Sequence, residues 1–177
     1  METVFVSVIC IALIVVGGMT MSRGFLSSID STSANIDAIS QRNEEIMRTN
    51  ILVLNANQTG PSMLELSLRN IGQTKLSDSS QWDIIVHHCD FDLNYYVTWL
   101  PYTGSSPSNN QWTVKGIYTD SAREIPEVFE PGIFNPDEEM VIESKIDPPV
   151  GPGTTNLVSI TTPNGVTVSK TFTGYSP

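Results

Sequence analysis

An α+β fold, with a long N-terminal hydrophobic α-helix followed by an antiparallel Ig-like β-sandwich head, is predicted by three features of this 177-residue sequence. No charged side chain occurs from Thr3 to Ser22, and Val4 to Val16 is almost purely apolar. From Asn50 onward, apolar residues come in short runs separated by Gly, Pro, Asn and Ser. No later stretch carries helical periodicity, and about eight short strands without a second helix make a sandwich or barrel of antiparallel strands. The expected division is a helix over residues 1–49 and a head over residues 50–177.

The helix comes first. At ~1.5 Å per residue, Val4 to Met21 spans roughly 27 Å, close to the hydrocarbon thickness of a bilayer. Past Arg23-Gly24 the all-round apolar pattern narrows to a stripe. Phe25, Ile29, Ile36, Ile39 and Ile46 fall at a/d-type spacings, with Thr32 and Asn43 between them. No proline appears before Pro61. One helix is therefore expected from about Glu2 to Thr49, roughly 70 Å long, with Gly17-Gly18 and Gly24 as its bendable points. A cleavable secretory signal needs a basic start and a small-residue cleavage site. Here Arg23 is the first basic residue and no A-x-A-like site follows. A plain membrane anchor keeps basic residues on its cytoplasmic side. Their absence sets the expectation that a short basic leader was removed ahead of Met1.

The strands follow in order. Ile51 to Leu54 is a first strand, closed by a turn over Asn55 to Gly60. Met63 to Leu68 alternates strictly and ends at Asn70-Ile71-Gly72. Trp82 to Val86, Tyr95 to Leu100 and Trp112 to Tyr118 are the next three. Glu124 to Glu139 holds three prolines and reads as a long connection. Glu139 to Ser144, Leu157 to Thr161 and Val166 to Phe172 complete the set. The last two flank Pro163-Asn164-Gly165, and Asn-Gly between strands is the strongest short hairpin signal.

A net charge of −10 argues against nucleic acid as a partner and against adhesion to anionic lipid through a basic patch. The two cysteines, Cys10 in the apolar helix and Cys89 in the head, are expected to be free thiols rather than a disulfide framework.

Chemistry has few places to reside. His87-His88-Cys89-Asp90 is the one cluster with metal-ligating residue types, but adjacent strand residues point to opposite faces. Two histidines and one head cysteine supply neither a His₃ site nor a Cys₄ site, so this reads as a strand end with one face buried. Asp137-Glu138-Glu139 has the oxygen donors of a hard-cation site and reads as a solvated loop entering a strand. No nucleophile elbow, zincin motif, P-loop or dinucleotide fingerprint is present. No cofactor, no metal and no enzymatic activity are expected. Asn57-Gln58-Thr59 is the single N-x-[ST] sequon, placed in a turn, with Asn57 as a candidate glycosylation site. Glu2 suits the positive end of the helix dipole. It is also a candidate for an inter-subunit charge pair with a neighbour's α-amino group.

Four segments carry a family resemblance. Arg48-Thr49-Asn50-Ile51 stands at the helix-to-strand junction. Leu66-Ser67-Leu68-Arg69-Asn70-Ile71-Gly72 is a strand ending in an N-x-G turn. Phe134-Asn135-Pro136-Asp137-Glu138 is an N-P-x-E entry to a late strand. Ile160-Thr161-Thr162-Pro163-Asn164-Gly165-Val166 is a terminal hairpin. In this order, behind an apolar helix, they resemble the type IV filament superfamily, and within it the archaellins and the related archaellum stator proteins. Bacterial type IV pilins carry an early glutamate where this chain has Phe5, which favours the archaellum branch.

The resemblance implies a structural subunit of an extracellular helical motility filament. Its helix would pass through the cytoplasmic membrane as a transient intermediate, with a prepilin-type peptidase and an assembly ATPase and platform as partners. Physics agrees with a homo-oligomer. Eighteen apolar residues cost too much in water and must bury in a bundle of identical helices, and a non-closing contact repeated by a screw makes a filament. The expected filament-core packing residues are Val4, Val8, Ile11, Val15, Phe25, Ile29 and Ile36. The alternatives are a membrane-held archaellum stator whose head binds filament or surface layer, a type IV adhesion pilin, and a membrane-anchored enzyme or solute-binding head.

Overall fold

The computed structural model describes residues 2–175, with side chains from residue 6 onward. Two compact units are present, residues 1–44 and residues 45–177.

A single helix, α1 (Glu2–Arg48), accounts for the described residues of the first unit and the first turn of the second. With no proline to interrupt it, the backbone ladder runs unbroken through the glycines. Two hydroxyls that compete with helix in other settings return to it here: Thr20 Oγ1 donates to Gly17 O at 2.9 Å and Thr32 Oγ1 to Ser28 O at 2.8 Å. The helix ends at Arg48, one residue before the expected Thr49. There Thr49 N donates to Ile46 O at 3.2 Å, an i→i−3 bond that tightens the last turn.

Among the described residues, nine strands form two antiparallel sheets. They are β1 (Ile51–Gln58), β2 (Met63–Asn70), β3 (Asp83–Cys89), β4 (Tyr95–Leu100), β5 (Gln111–Asp120), β6 (Ile125–Pro126), β7 (Glu139–Lys145), β8 (Thr155–Thr161) and β9 (Thr167–Thr173). One sheet has the order β1-β2-β7-β5-β6 and the other β4-β3-β8-β9. The α+β class and the sandwich head are as the sequence predicts.

Alternation decides which side of each strand faces the core. In β2, Leu64, Leu66, Leu68 and Asn70 are buried, and every residue between them is half-exposed. Ile84, Val86 and His88 do the same in β3, and Val158 and Ile160 in β8. Trp112 and Phe134 are the largest fully buried side chains. Tyr102 packs edge-on against Trp112 with ring centroids 4.9 Å apart, and Trp82 lies 6.3 Å from Phe134. Trp82 serves the core from just outside β3, following a short 3-10 turn at Ser79–Gln81.

Three boundaries differ from expectation. The first strand does not close at Leu54. Past a bulge between Val53 and Asn55, Asn55 to Gln58 pair with Ser67 to Leu64, so polar residues that read as a turn extend an edge strand. The third strand continues through His87 and His88 to Cys89, whose partners Val97, Tyr96 and Tyr95 lie opposite. The long connection contains the two-residue strand β6, paired with the end of β5. The terminal hairpin forms around the expected residues. Gly165 N donates to Thr162 O at 2.9 Å, with Pro163 after the turn's first residue and Gly165 at φ 92°. Thr162 N donates to Val166 O at 2.9 Å. This is a three-residue loop with glycine in the left-handed position.

Candidate functional site

Two structural features stand out: the uncovered apolar surface of α1, and the way its last turn is fastened into the head. Val8, Ile11, Val15, Phe25, Ile29 and Ile36 are all on α1 and all exposed, as are Ile9, Leu13, Ile14 and Val16. The side chains of Val4 and Glu2, the remaining expected core and charge-pair positions, lie outside the described residues. The helix is long and apolar enough to cross a membrane by length and composition, and none of its apolar window is buried within the chain. At ~1.5–3 kcal/mol per Val, Leu or Ile side chain, exposing eight of them between Val6 and Val16 to water costs on the order of 10–20 kcal/mol. That equals or exceeds the whole stability of a typical domain, ~5–15 kcal/mol. Either lipid or other protein must cover this surface. A Cβ added at Gly17, Gly18 or Gly24 would meet nothing within 4 Å, so no packing inside the chain demands these glycines.

The junction is built around Asn70, which is 0% exposed at the end of β2. Its Nδ2 donates to Thr74 O at 2.9 Å and Phe134 O at 3.0 Å, and its Oδ1 accepts from Gly72 N at 3.0 Å. Its backbone N donates to Glu138 O at 3.0 Å and its backbone O accepts from Asp137 N at 2.8 Å. The turn thus shaped grips the end of α1: Gln73 N donates to Arg48 O at 2.8 Å and Ile71 N to Asn50 O at 2.9 Å. Orphan carbonyls at the helix end are satisfied by the head. A Cβ on Gly72 would stand 2.5 Å from Asn50 N and 2.6 Å from Arg48 O, so only glycine permits this approach. On another side, Thr49, buried, donates through Oγ1 to Glu45 O at 2.7 Å and accepts from Asn164 Nδ2 of the terminal hairpin at 2.7 Å. Glu138, also buried, accepts from Asn135 N at 2.8 Å and so folds the loop that meets Asn70.

The four segments that carry the family resemblance are therefore one hydrogen-bonded collar. Sequence reading met them as separate turn signals. The missed signal is that polar Asn70 continues β2's buried alternation, where a leucine would be expected.

The remaining candidates are less developed. His87 and Cys89 share the outer face of β3, and His88 faces inward, 1% exposed. His88 Nε2 lies 3.0 Å from Pro148 O, and its ring stacks on Tyr96 at 5.5 Å. Desolvation holds its pKa below 6.5 despite the Pro148 carbonyl and the charge of Asp90, which pull the other way. The unfolded chain thus takes up this proton first. Head stability should be full above about pH 6.5 and fall as pH drops from there to the folded-state pKa. Urea midpoints between pH 7.5 and pH 5 measure this, and the His88→Leu variant should lose this part of the slope.

Asp137, Glu138 and Glu139 diverge. Asp137 stands 3.7 Å from Arg69, Glu138 binds the Asn135 amide, and Glu139 accepts from Ser121 N at 2.9 Å and from Ser121 Oγ. Among the described residues no group of three His, Cys, Asp or Glu is placed to hold a metal ion. An open groove of about 590 Å³ on the outer face of the first sheet is lined by Glu65, Arg69, Asp120 and Glu139, among others. Its carboxylates are engaged, Glu65 by Lys115 at 2.7 Å and Glu139 by Ser121. Asn57 is exposed, but it lies in β1 rather than in the expected turn. The polar run Asn55 to Gln58 is held by its pairing with β2.

A continuous apolar helix with no intrachain cover, collared by an antiparallel sandwich, defines a class of helix-plus-sandwich proteins whose helix is completed by lipid or by other chains. Solved structures are similar to the chain. The archaellum periplasmic stator protein FlaG from Sulfolobus acidocaldarius is 23% identical, covering 70% of this chain and 99% of that one with a TM-score of 0.52. The FlaF and FlaG stator complex from the same organism matches at 23% identity over 69% of this chain and 87% of that one, TM-score 0.51. The archaeal flagellum of Methanospirillum hungatei strain JF1 matches at 13% identity over 94% of this chain and 90% of that one, TM-score 0.58. The chain shares its fold with these archaellum components. No family model and no curated protein sequence matches it.

Proposed function

We propose that this chain is an archaellum component and, more closely, an archaellin-like structural subunit without enzymatic activity. It polymerises through α1 into an extracellular helical filament. The observation that carries this reading is the uncovered apolar surface of α1 in unbroken continuity with a hydrogen-bonded collar. Such a helix tolerates the membrane before assembly and the interior of a helix bundle afterwards. Val4, Val8, Ile11, Val15, Phe25, Ile29 and Ile36 would pack in that bundle, and Glu2 would pair with a neighbour's amino terminus. The likeness to the flagellum of Methanospirillum hungatei supports this reading because it spans 94% of the chain, more than the head alone. The membrane is then a transient location, and a prepilin-type peptidase with an assembly ATPase and platform is the machinery that would deliver the subunit.

A stator role is the second reading. It is favoured by the higher identity to FlaG, where 99% of the solved stator chain is covered. Electron cryo-microscopy of a sheared surface fraction separates the two. A filament whose repeating unit fits this chain, present in thousands of copies, is the expected result. Retention of the chain in the membrane fraction at a few copies per motor would overturn the filament reading in favour of the stator.

A further inference from the structure

The free edge of the second sheet differs from the other three sheet edges. Exposed edges are ordinarily protected by bulges, prolines, charges or a covering element. In this head β1 is bulged between Val53 and Asn55, β6 is two residues long and contains Pro126, and β9 carries Lys170 and packs beside β1. Strand β4, Tyr95-Tyr96-Val97-Thr98-Trp99-Leu100, has none of these devices. It contains no charge and no proline, and its register with β3 is unbroken from Cys89↔Tyr95 to Ile84↔Leu100.

Its outer face is also apolar. Tyr95, Val97 and Trp99 are 64%, 57% and 56% exposed, and Phe91 and Leu93 in the preceding turn are exposed too. The two aromatic rings are held by their polar tips, since Tyr95 Oη lies 2.7 Å from His87 Nδ1 and Trp99 Nε1 donates to Asp83 Oδ1 at 2.9 Å. Rings fixed in this way lose little freedom on docking.

We infer that β4 pairs with β4 of a second copy of this chain, antiparallel about a two-fold axis at Val97, joining two four-stranded sheets into one. The sequence of the strand is self-complementary in that register. Outer-face residues must oppose outer-face residues, so Val97 faces the second copy's Val97 and Tyr95 faces the second copy's Trp99, twice over. Aromatic cross-strand pairs of this kind are among the more stabilising ones in sheets. Edge pairing covers the strand's free backbone groups and the flanks of these side chains, so the contact belongs with the smaller interfaces, about 1,000 Å² or less in total. Charge points to the same partner. On a chain of net charge −10, the strand itself carries no charge, so its pairing puts no carboxylate directly opposite another; Asp83, which holds Trp99, and Asp92 lie on β3 and in the preceding turn. The contact does not rest on the filament reading. An isologous contact closes on itself and does not propagate a screw, so it joins two heads of membrane-held chains and would have to open for a chain to enter a filament.

Cysteine cross-linking of the full-length chain in native membranes tests this. With Cys10→Ser and Cys89→Ser as background, Val97→Cys should give predominantly disulfide dimer on mild oxidation. Ser169→Cys, exposed on the same face of the sheet but on the far edge strand β9, should stay monomeric. Adding Tyr95→Lys to the Val97→Cys chain should reduce the dimer several-fold, and circular dichroism confirms the fold of each variant. Equal cross-linking at positions 97 and 169, no dimer at position 97, or capture there of a different protein without homodimer would each overturn the inference.

Discussion

Val8→Glu and Leu13→Glu are each expected to abolish filaments while leaving the head's melting temperature unchanged. Both side chains are exposed on α1, in the first compact unit, and neither belongs to the buried core of the head. In a bundle of identical helices each subunit would bring an unpaired carboxylate into an apolar interior. The effective penalty for such burial is several kcal/mol per ion, even after relaxation. At 1.4 kcal/mol per tenfold, a penalty of about 4 kcal/mol raises the concentration needed for polymerisation by roughly 10³. Val8→Leu preserves the apolar surface and should polymerise normally. Immunoblots of the membrane fraction separate failed assembly from failed insertion, since a chain that inserts but does not assemble accumulates there. Normal filaments from both glutamate variants would sink the assignment of α1 as the filament core.

The sequence made α1 legible because helix-breaking residues are absent and charge is excluded over a long stretch. It made β2 legible because Leu64-Leu66-Leu68 alternate with residues that stay in contact with solvent, and β7 because Met140-Val141-Ile142 is a short apolar run, all three of them buried. It misled where pairing overrules composition. Asn55-Ala56-Asn57-Gln58 has the residues of a turn, yet it is a strand because β2 continues far enough to hold it. The strand β6 was hidden for the opposite reason: two residues, one of them a proline, carry no period at all. The collar was visible only in fragments. Each of its segments has a local turn signature, but the bonds between them span up to 115 residues in sequence, from Thr49 to Asn164. A pattern confined to neighbouring positions does not encode such contacts. The uncovered helix surface is the complementary case. Its stripe through Phe25, Ile29 and Ile36 was readable, because periodicity reports which face is apolar without reporting what covers it.

The collar leads to the second large effect. Asn70→Ala removes two donors and one acceptor from a side chain that is 0% exposed, leaving the buried Phe134 O and the part-buried Thr74 O and Gly72 N without this partner. At ~1–3 kcal/mol for a buried polar group left unsatisfied and less for the two that water can reach, the head should lose roughly 2–4 kcal/mol, a large share of the ~5–15 kcal/mol available to a domain. Asn70→Asp should be no better, because it keeps the acceptor for Gly72 N, forfeits both donors and adds a buried charge. Asn50→Ala is the informative control. The Asn50 side chain is exposed, and it is the Asn50 backbone oxygen that Ile71 N reaches, so this change should cost under ~0.5 kcal/mol. Urea denaturation of the three variants measures the series. Gly72→Ala then probes the attachment itself: the added methyl would be forced against the Arg48 and Asn50 backbone, so the turn and the last turn of α1 must part. If the collar fastens the helix to the head, Gly72→Ala will increase hydrogen exchange at the Gln73 and Ile71 amides, whose acceptors are Arg48 O and Asn50 O. Unchanged protection at both amides, with Asn70→Ala as stable as the parent, would show that the buried asparagine has no part in holding this junction.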